Sequence, residues 1–398
     1  MEHRDTLQKW RFWPVICLAI LYPINGSLIG LAIPLYFFRQ GVDIMIIGLI
    51  IAGIPMTYCF SPLLFKNIGD KIGRKNCIII ALLGTSIAQL LFYFTLDPIL
   101  FLISRLTEGL ITGLFWTSLQ SSISDNAFHD HNKKLSRFNL GWNSGLLIGF
   151  LSGALILYFI DDIKIIFYVA PLLVFTATLI SILFFQESKK YNLDTIDSNQ
   201  LVEQSNSNFS NSRDYYIPKI LPILLVASFA FAKGSLNILY PIKSEIIGFE
   251  PYTVYLLASF ALMTQLVSTT FASYLSINSL KKASVISLFS LFIIFILFGI
   301  NTDFIIFGIL YLLLGFFAGI LISFGLKLSL LLNVKHQTSK YSNMIESSIG
   351  VSFLITPIFA AYLASTDLNL AFFTISMGFA IFLIIGLILL INLRPEKY

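Results

Sequence analysis

Arg105, Glu108 and Lys233 are charged residues set inside long apolar stretches of this chain, and each could do chemistry there. Arg105 and Glu108 stand three residues apart, so on a helix they share one face and can pair. A carboxylate held between apolar surroundings and a guanidinium can take up and release a proton; the bland alternative is a self-neutralising pair that only packs helices. Lys233 has no acid one turn away on either side. It must find a partner across the interior, line a wetted cavity or lose its proton. It lies roughly 20 Å along its stretch, and Glu108 lies roughly 15 Å along its own from the other side, at 1.5 Å per residue. The two are therefore at similar depth, and the expectation is that they face each other across a central cavity.

Asn25, Trp116, Gln120, Asn237, Tyr240 and Gln265 complete the expected lining with Lys233. Aromatic and amide groups of this kind suit an amphipathic organic solute, although each alone is compatible with packing. Two further charges are assigned structural duties. Lys327 is near the end of its stretch and can snorkel, and Glu346 follows Asn343 at the spacing of a capping box. Thr356-Pro357 should bend its helix, because proline removes a hydrogen bond and clashes with the preceding turn. His129, Asp130 and His131 lack further ligands nearby, so no metal site is expected. Cys17, Cys59 and Cys77 have no redox or metal spacing. No phosphate-cradling loop, nucleophile elbow or zinc-helix motif occurs, so neither an ATP-driven pump nor a hydrolase is supported; no enzyme activity and no cofactor are expected.

The elements that must position these residues follow from composition. The chain is 57% hydrophobic and only 12% charged, whereas a soluble domain has about 25% charged residues. Most of its surface must therefore face lipid. A bilayer core of about 30 Å needs about 20 apolar residues per helix. Such runs occur at 13–38, 44–65, 76–96, 99–123, 138–160 and 165–185, then at 220–242, 253–275, 283–300, 304–332, 343–364 and 370–393. Peptide groups in hydrocarbon must bond within their own segment, so the runs are helices, not barrel strands. The first run is too long for a cleaved signal peptide and should remain as a span. The expected fold is an all-α integral membrane protein with 12 spans in two six-helix bundles, 1–186 and 219–398. Between them, 187–218 is rich in Ser, Asn and Asp and reads as a linker. Asn208-Phe209-Ser210 there is a glycosylation pattern that a cytoplasmic linker would leave unused.

Loops on the amino-terminal side hold basic residues such as Arg11, Lys71, Arg74, Lys75, Arg137, Lys219, Lys281 and Lys335, while the opposite loops hold only Arg39, Lys164 and Lys243. The positive-inside rule then puts both termini in the cytoplasm. The net charge of +5 is explained by this topology without any nucleic acid. Internal similarity is weak but placed at equivalent points: Asn25-Gly26-Ser27-Leu28 precedes Pro34, and Lys233-Gly234-Ser235-Leu236 precedes Pro241. Gly141, Gly145, Gly149 and Gly153 recur every fourth residue and make one smooth face for close helix approach.

Two motifs carry a family resemblance. Gly69-Asp70-Lys71-Ile72-Gly73-Arg74-Lys75 lies between the second and third runs, and Arg105-Leu106-Thr107-Glu108-Gly109 followed by Gly113 lies in the fourth. With the six-plus-six layout they resemble the major facilitator superfamily over essentially the whole chain. Lys66 stands where that family has a glycine, and Glu108 where it has a glutamine. Gly73 permits the tight turn of a short loop. The resemblance implies that the loop, through Asp70, Gly73 and Arg74, latches the halves in the outward-facing state. It also implies alternating access in a plasma-membrane protein acting as a monomer, with protons as the second partner. Exporters of the family carry Gly-Pro within a stripe such as 141–153, and no proline occurs there. That absence weakens the antiport cue and, with Lys233 at mid-membrane, favours uptake; the reading is nonetheless export of a small amphipathic compound against protons. The alternatives are uptake of a sugar, amino acid or organic anion, or a transport-inactive receptor or scaffold.

Overall fold

Apolar runs that meet no water have to coil to satisfy their peptide groups, and in the computed structural model they do. It describes residues 11–65, 68–126, 131–187, 215–336 and 340–395. The first half comprises α1 (Trp13–Arg39), α2 (Ile44–Tyr58), the short α3 (Ser61–Leu64) and α4 (Ile68–Ile72), α5 (Arg74–Phe94), α6 (Pro98–Asn126), α7 (His131–Phe159) and α8 (Lys164–Phe184). The second comprises α9 (Leu221–Ile247), α10 (Pro251–Tyr274), α11 (Ile277–Ile300), α12 (Phe304–His336), α13 (Lys340–Thr366) and α14 (Leu368–Asn392). Among the described residues, 11 helices are long and apolar enough to cross a membrane, and α2 is a shorter apolar helix. Most of the polar linker, the glycosylation pattern and the pair His129 and Asp130 lie outside the described residues, as do the side chains of Asp70 and His131.

The second run departs from its expected single helix. It breaks after Tyr58 and resumes at Ser61 with proline in the first turn. Pro62 has no N–H to bond the Tyr58 carbonyl four residues back, so the ladder cannot continue through this point. The end of the linker also differs: Tyr215–Tyr216 pairs antiparallel with Arg394–Pro395, tying it to the carboxy-terminal tail.

Glycine sets the closest helix crossings. A Cβ on Gly145 would overlap the carbonyl of Ile20, and one on Gly149 would overlap the Ser27 hydroxyl, so the stripe of α7 lies directly on α1. Gly153, one turn further, lies on the Tyr255 ring of α10 in the other half. Gly315 and Gly319 of α12 face the backbone of α10 in the same way.

Helix α1 begins and α14 finishes at one end of the bundle, where the Arg11 amide bonds Gln186 and 215–216 pairs with 394–395. At the opposite end several contacts join the halves. Arg39 Nε is 2.6 Å from Glu245 Oε2, the Tyr255 hydroxyl donates to the Leu28 carbonyl, and Tyr158 meets Tyr252 edge-on with centroids 5.4 Å apart. Gly48 of α2 and Ala361 of α13 also touch there.

Lys243, expected in a loop at that end, is instead buried inside α9, which runs one turn beyond the apolar stretch. Its ammonium donates to the carbonyls of Phe298 and Gly299, both at 2.6 Å, at the end of α11. The rings of Phe307 and Phe372 lie 5.9 and 5.3 Å away. A helix end exposes carbonyls and negative dipole, which is why a cation is stable there without an acid. Lys243→Met is expected to cost about 1–3 kcal/mol for the carbonyls left unpaired. A lowered thermal transition of the purified protein in detergent checks this; an unchanged one would refute it.

Candidate functional site

Helices α1, α2, α6 and α7 of the first half, with α9 and α13 of the second, enclose a cavity of about 360 Å³. Its lining reaches Tyr58, Trp142 and Glu346 toward the end where α1 begins, and Ile33 and Pro357 toward the end closed by Arg39 and Glu245. Of the residues expected in a site, Arg105, Trp116 and Asn237 line it.

The wall facing α6 is a polar ladder among rings. Trp116 has centroids 5.6 Å from Tyr22 and 5.7 Å from Trp142. The Thr112 hydroxyl donates to the Glu108 carbonyl at 2.6 Å, so the Tyr22 hydroxyl, 2.6 Å from Thr112 Oγ1, is the donor in that contact. Gly109 allows this arrangement, because a Cβ there would overlap the Ile54 carbonyl where α6 lies on α2.

Glu108 is almost fully buried behind Arg105. Its Oε2 accepts from Arg105 Nη1 and from Gln89 Nε2, each at 3.0 Å. The pair stands as the three-residue spacing predicts. Gln89 of α5, which sequence reading passed over, was visible as an amide inside an apolar run. Arg105 Nε and Gln89 Oε1 are buried without a hydrogen-bond partner. The cluster can therefore hold one charge against another, with Arg105 and not Glu108 on the cavity lining.

The other expected residues do not converge. Lys233 and Glu108 are not in contact. Lys233 is half-buried with its ammonium 5.7 Å from the centre of the Phe229 ring, while Glu108 is held by first-half residues. Tyr240 sits in an aromatic core with Phe298, Phe307 and Tyr311 inside the second half, outside the cavity lining. Asn25 and Gln265 are buried, each with an unpartnered side-chain oxygen, and neither lines the cavity. Gln265 lies where α10 crosses α12 against Gly319. Gln120, one turn beyond Trp116, is exposed and also outside the lining. Lys327 donates to the Leu275 carbonyl at 2.8 Å.

Glu346 is a correction. Because α13 starts at Lys340, Asn343 lies within the helix and cannot be its cap. Glu346 is instead an exposed carboxylate on the cavity wall. The signal that could have found it is its charge within an apolar run, which defaults to a functional reading in a membrane helix. Tyr22, Tyr58, Thr112 and Trp142 were missed because aromatic and hydroxyl residues are common packing groups in such runs.

The loop at Gly69–Lys75 turns at Gly73, whose φ is +90°. The amides of Arg74 and Lys75 then donate to the Glu187 carboxylate at 2.6 and 3.0 Å, as a helix start favours an anion. The ammonium of Lys75 donates to the Ile182 carbonyl at 3.0 Å. In this state those contacts of the loop are with the end of its own half.

The architecture has known counterparts. The nucleoside transporter NupG superposes with a TM-score of 0.73 at 12% identity, over 95% of this chain and 98% of that one. A bacterial homologue of the human lysosomal transporter Spinster, solved inward-facing and occupied, superposes with a TM-score of 0.75 at 11% identity, over 96% and 95%. In sequence, 106 residues are 30% identical to the staphyloferrin B transporter of Staphylococcus aureus (strain NCTC 8325 / PS 47), covering 27% of this chain and 25% of that protein. Another 28% identity extends over 205 residues of the class B tetracycline resistance protein of Escherichia coli, 51% of this chain and 45% of that protein. The chain thus spans less than half the length of either of these two relatives. The Major Facilitator Superfamily profile matches residues 15–231, more than half of the chain, and this multi-pass membrane protein belongs to that superfamily.

Proposed function

We propose that the chain exports a small amphipathic organic compound in exchange for protons, by rocking its halves about the central cavity. The observation that carries this reading is the cavity itself, which lies between the halves, is lined by aromatic rings and is closed at one end by contacts between the halves. The concentration of basic loop residues at the end where α1 begins supports a cytoplasmic position for that end, and the closed end is then the outer one. The protein works as a monomer in the plasma membrane. Glu108 carries the proton and Arg105 adjusts its hold, a reading supported by their 3.0 Å contact and by Arg105 lining the cavity. A relative whose name speaks of tetracycline resistance fits outward movement.

The test uses the full chain in liposomes under an imposed pH gradient. Glu108→Gln is expected to lower gradient-driven flux at least tenfold, and undiminished flux would overturn the assignment. Acid-driven accumulation of an anionic metabolite would favour uptake, the second reading, to which the absence of proline from the α7 stripe points. Failure of labelled solute to exchange in counterflow would instead mark a receptor or scaffold.

A further inference from the structure

We propose that Glu346 is the counter-ion for a positively charged group on the solute, so that the cavity selects organic cations. This rests on the central cavity being the solute site and names the chemistry of what it takes.

Among the described residues two charged side chains line the cavity, Arg105 and Glu346. The Arg105 charge is matched on its own helix by Glu108 at 3.0 Å, which leaves the cavity with the charge of Glu346. Among the described residues no hydrogen bond or ion pair reaches that carboxylate. Three lysines inside helices of the second half are disposed elsewhere. Lys233 lies against the Phe229 ring, Lys243 on the carbonyls of α11, and Lys327 on the Leu275 carbonyl. An acid at membrane depth that lacks a protein cation marks a place for one from outside.

The rest of the wall suits the body of such a ligand. Tyr22, Trp116 and Trp142 form a continuous aromatic surface, and Tyr58 and Phe353 add rings from α2 and α13. Aromatic faces attract cations and repel anions through their quadrupole, so rings and carboxylate select the same sign. A volume of about 360 Å³ is in the range of sites for compact organic ligands.

Tetraphenylphosphonium and tetraphenylborate have nearly the same shape and opposite charge, and quenching of Trp116 and Trp142 fluorescence reports their entry. With the purified full chain in detergent and no ion gradient, the phosphonium is expected to bind more tightly than the borate. Glu346→Gln should weaken phosphonium binding at least tenfold without weakening the borate, and Glu346→Asp should restore part of it. If Glu346→Gln does not fold, the wild-type preference and the Glu346→Asp variant still decide. Equal binding of phosphonium to wild type and Glu346→Gln, or a wild-type preference for borate, would overturn the proposal. Because no gradient is used, a wrong direction or wrong coupling ion leaves these outcomes unchanged. Absence of binding by either ion would overturn both this proposal and the solute site beneath it.

Discussion

Gly149→Val is expected to abolish accumulation of the folded protein. A Cβ at this position would overlap the Ser27 hydroxyl and stand 2.8 Å from the Ile24 carbonyl oxygen and 3.0 Å from its Cα. A hydroxyl can turn away, but backbone cannot, so α1 and α7 would have to separate along their contact. Overpacking of this kind costs about 1–3 kcal/mol and occasionally more, and with backbone on both sides the upper end applies. Gly141→Ala is the control on the same stripe. Its nearest neighbours would be side-chain atoms of Ala19, Ile20 and Ile16 at 3.6–3.8 Å, ordinary packing distance. Size-exclusion profiles of fluorescently tagged variants separate the two, and a monodisperse Gly149→Val with wild-type yield would refute the packing argument.

Arg105→Met should be the most damaging change to the ion pair. It removes the cation from a carboxylate that is 1% exposed and leaves Glu108 with Gln89 and the more distant Ser104 hydroxyl, 3.4 Å away. Removing one partner of a buried pair costs about 3–5 kcal/mol, whereas replacing both partners can be nearly neutral. The double variant Arg105→Met with Glu108→Gln is therefore expected to regain most of the lost thermal stability while remaining inactive in gradient-driven flux. If the double variant is no more stable than Arg105→Met alone, the pair does not account for the loss.

The spans were legible because hydropathy alone decides whether a segment can enter lipid. Eleven of the twelve runs became single long helices with ends shifted by a few residues, and the second was divided at Cys59–Phe60, just before Pro62, whose missing N–H outweighs apolarity there. The lining was less legible. A helix that is apolar all round carries no stripe to say which face meets lipid, neighbour or cavity. Tyr240 and Asn237 are three residues apart on α9, yet Asn237 lines the cavity and Tyr240 packs among Phe298, Phe307 and Tyr311. Lys233 and Glu108 were matched by depth, which fixes one coordinate out of three. Arg105 and Glu108 needed only the helical repeat. The reading of Glu346 failed for a different reason, since a local spacing rule was applied to a helix that begins three residues earlier.

The clasp between Arg39 and Glu245 has a thermodynamic consequence. Arg39 is 36% exposed and Glu245 9%, so the guanidinium side of the pair is open to the solvent that holds surface ion pairs to about 0–1 kcal/mol. Such a bond registers the two rims without locking them, and dissolved salt loosens it. On the proposed orientation that end faces outward, so the ionic strength outside the membrane sets the clasp's share of the closure, beside the contacts of Tyr255 with Leu28 and of Tyr158 with Tyr252.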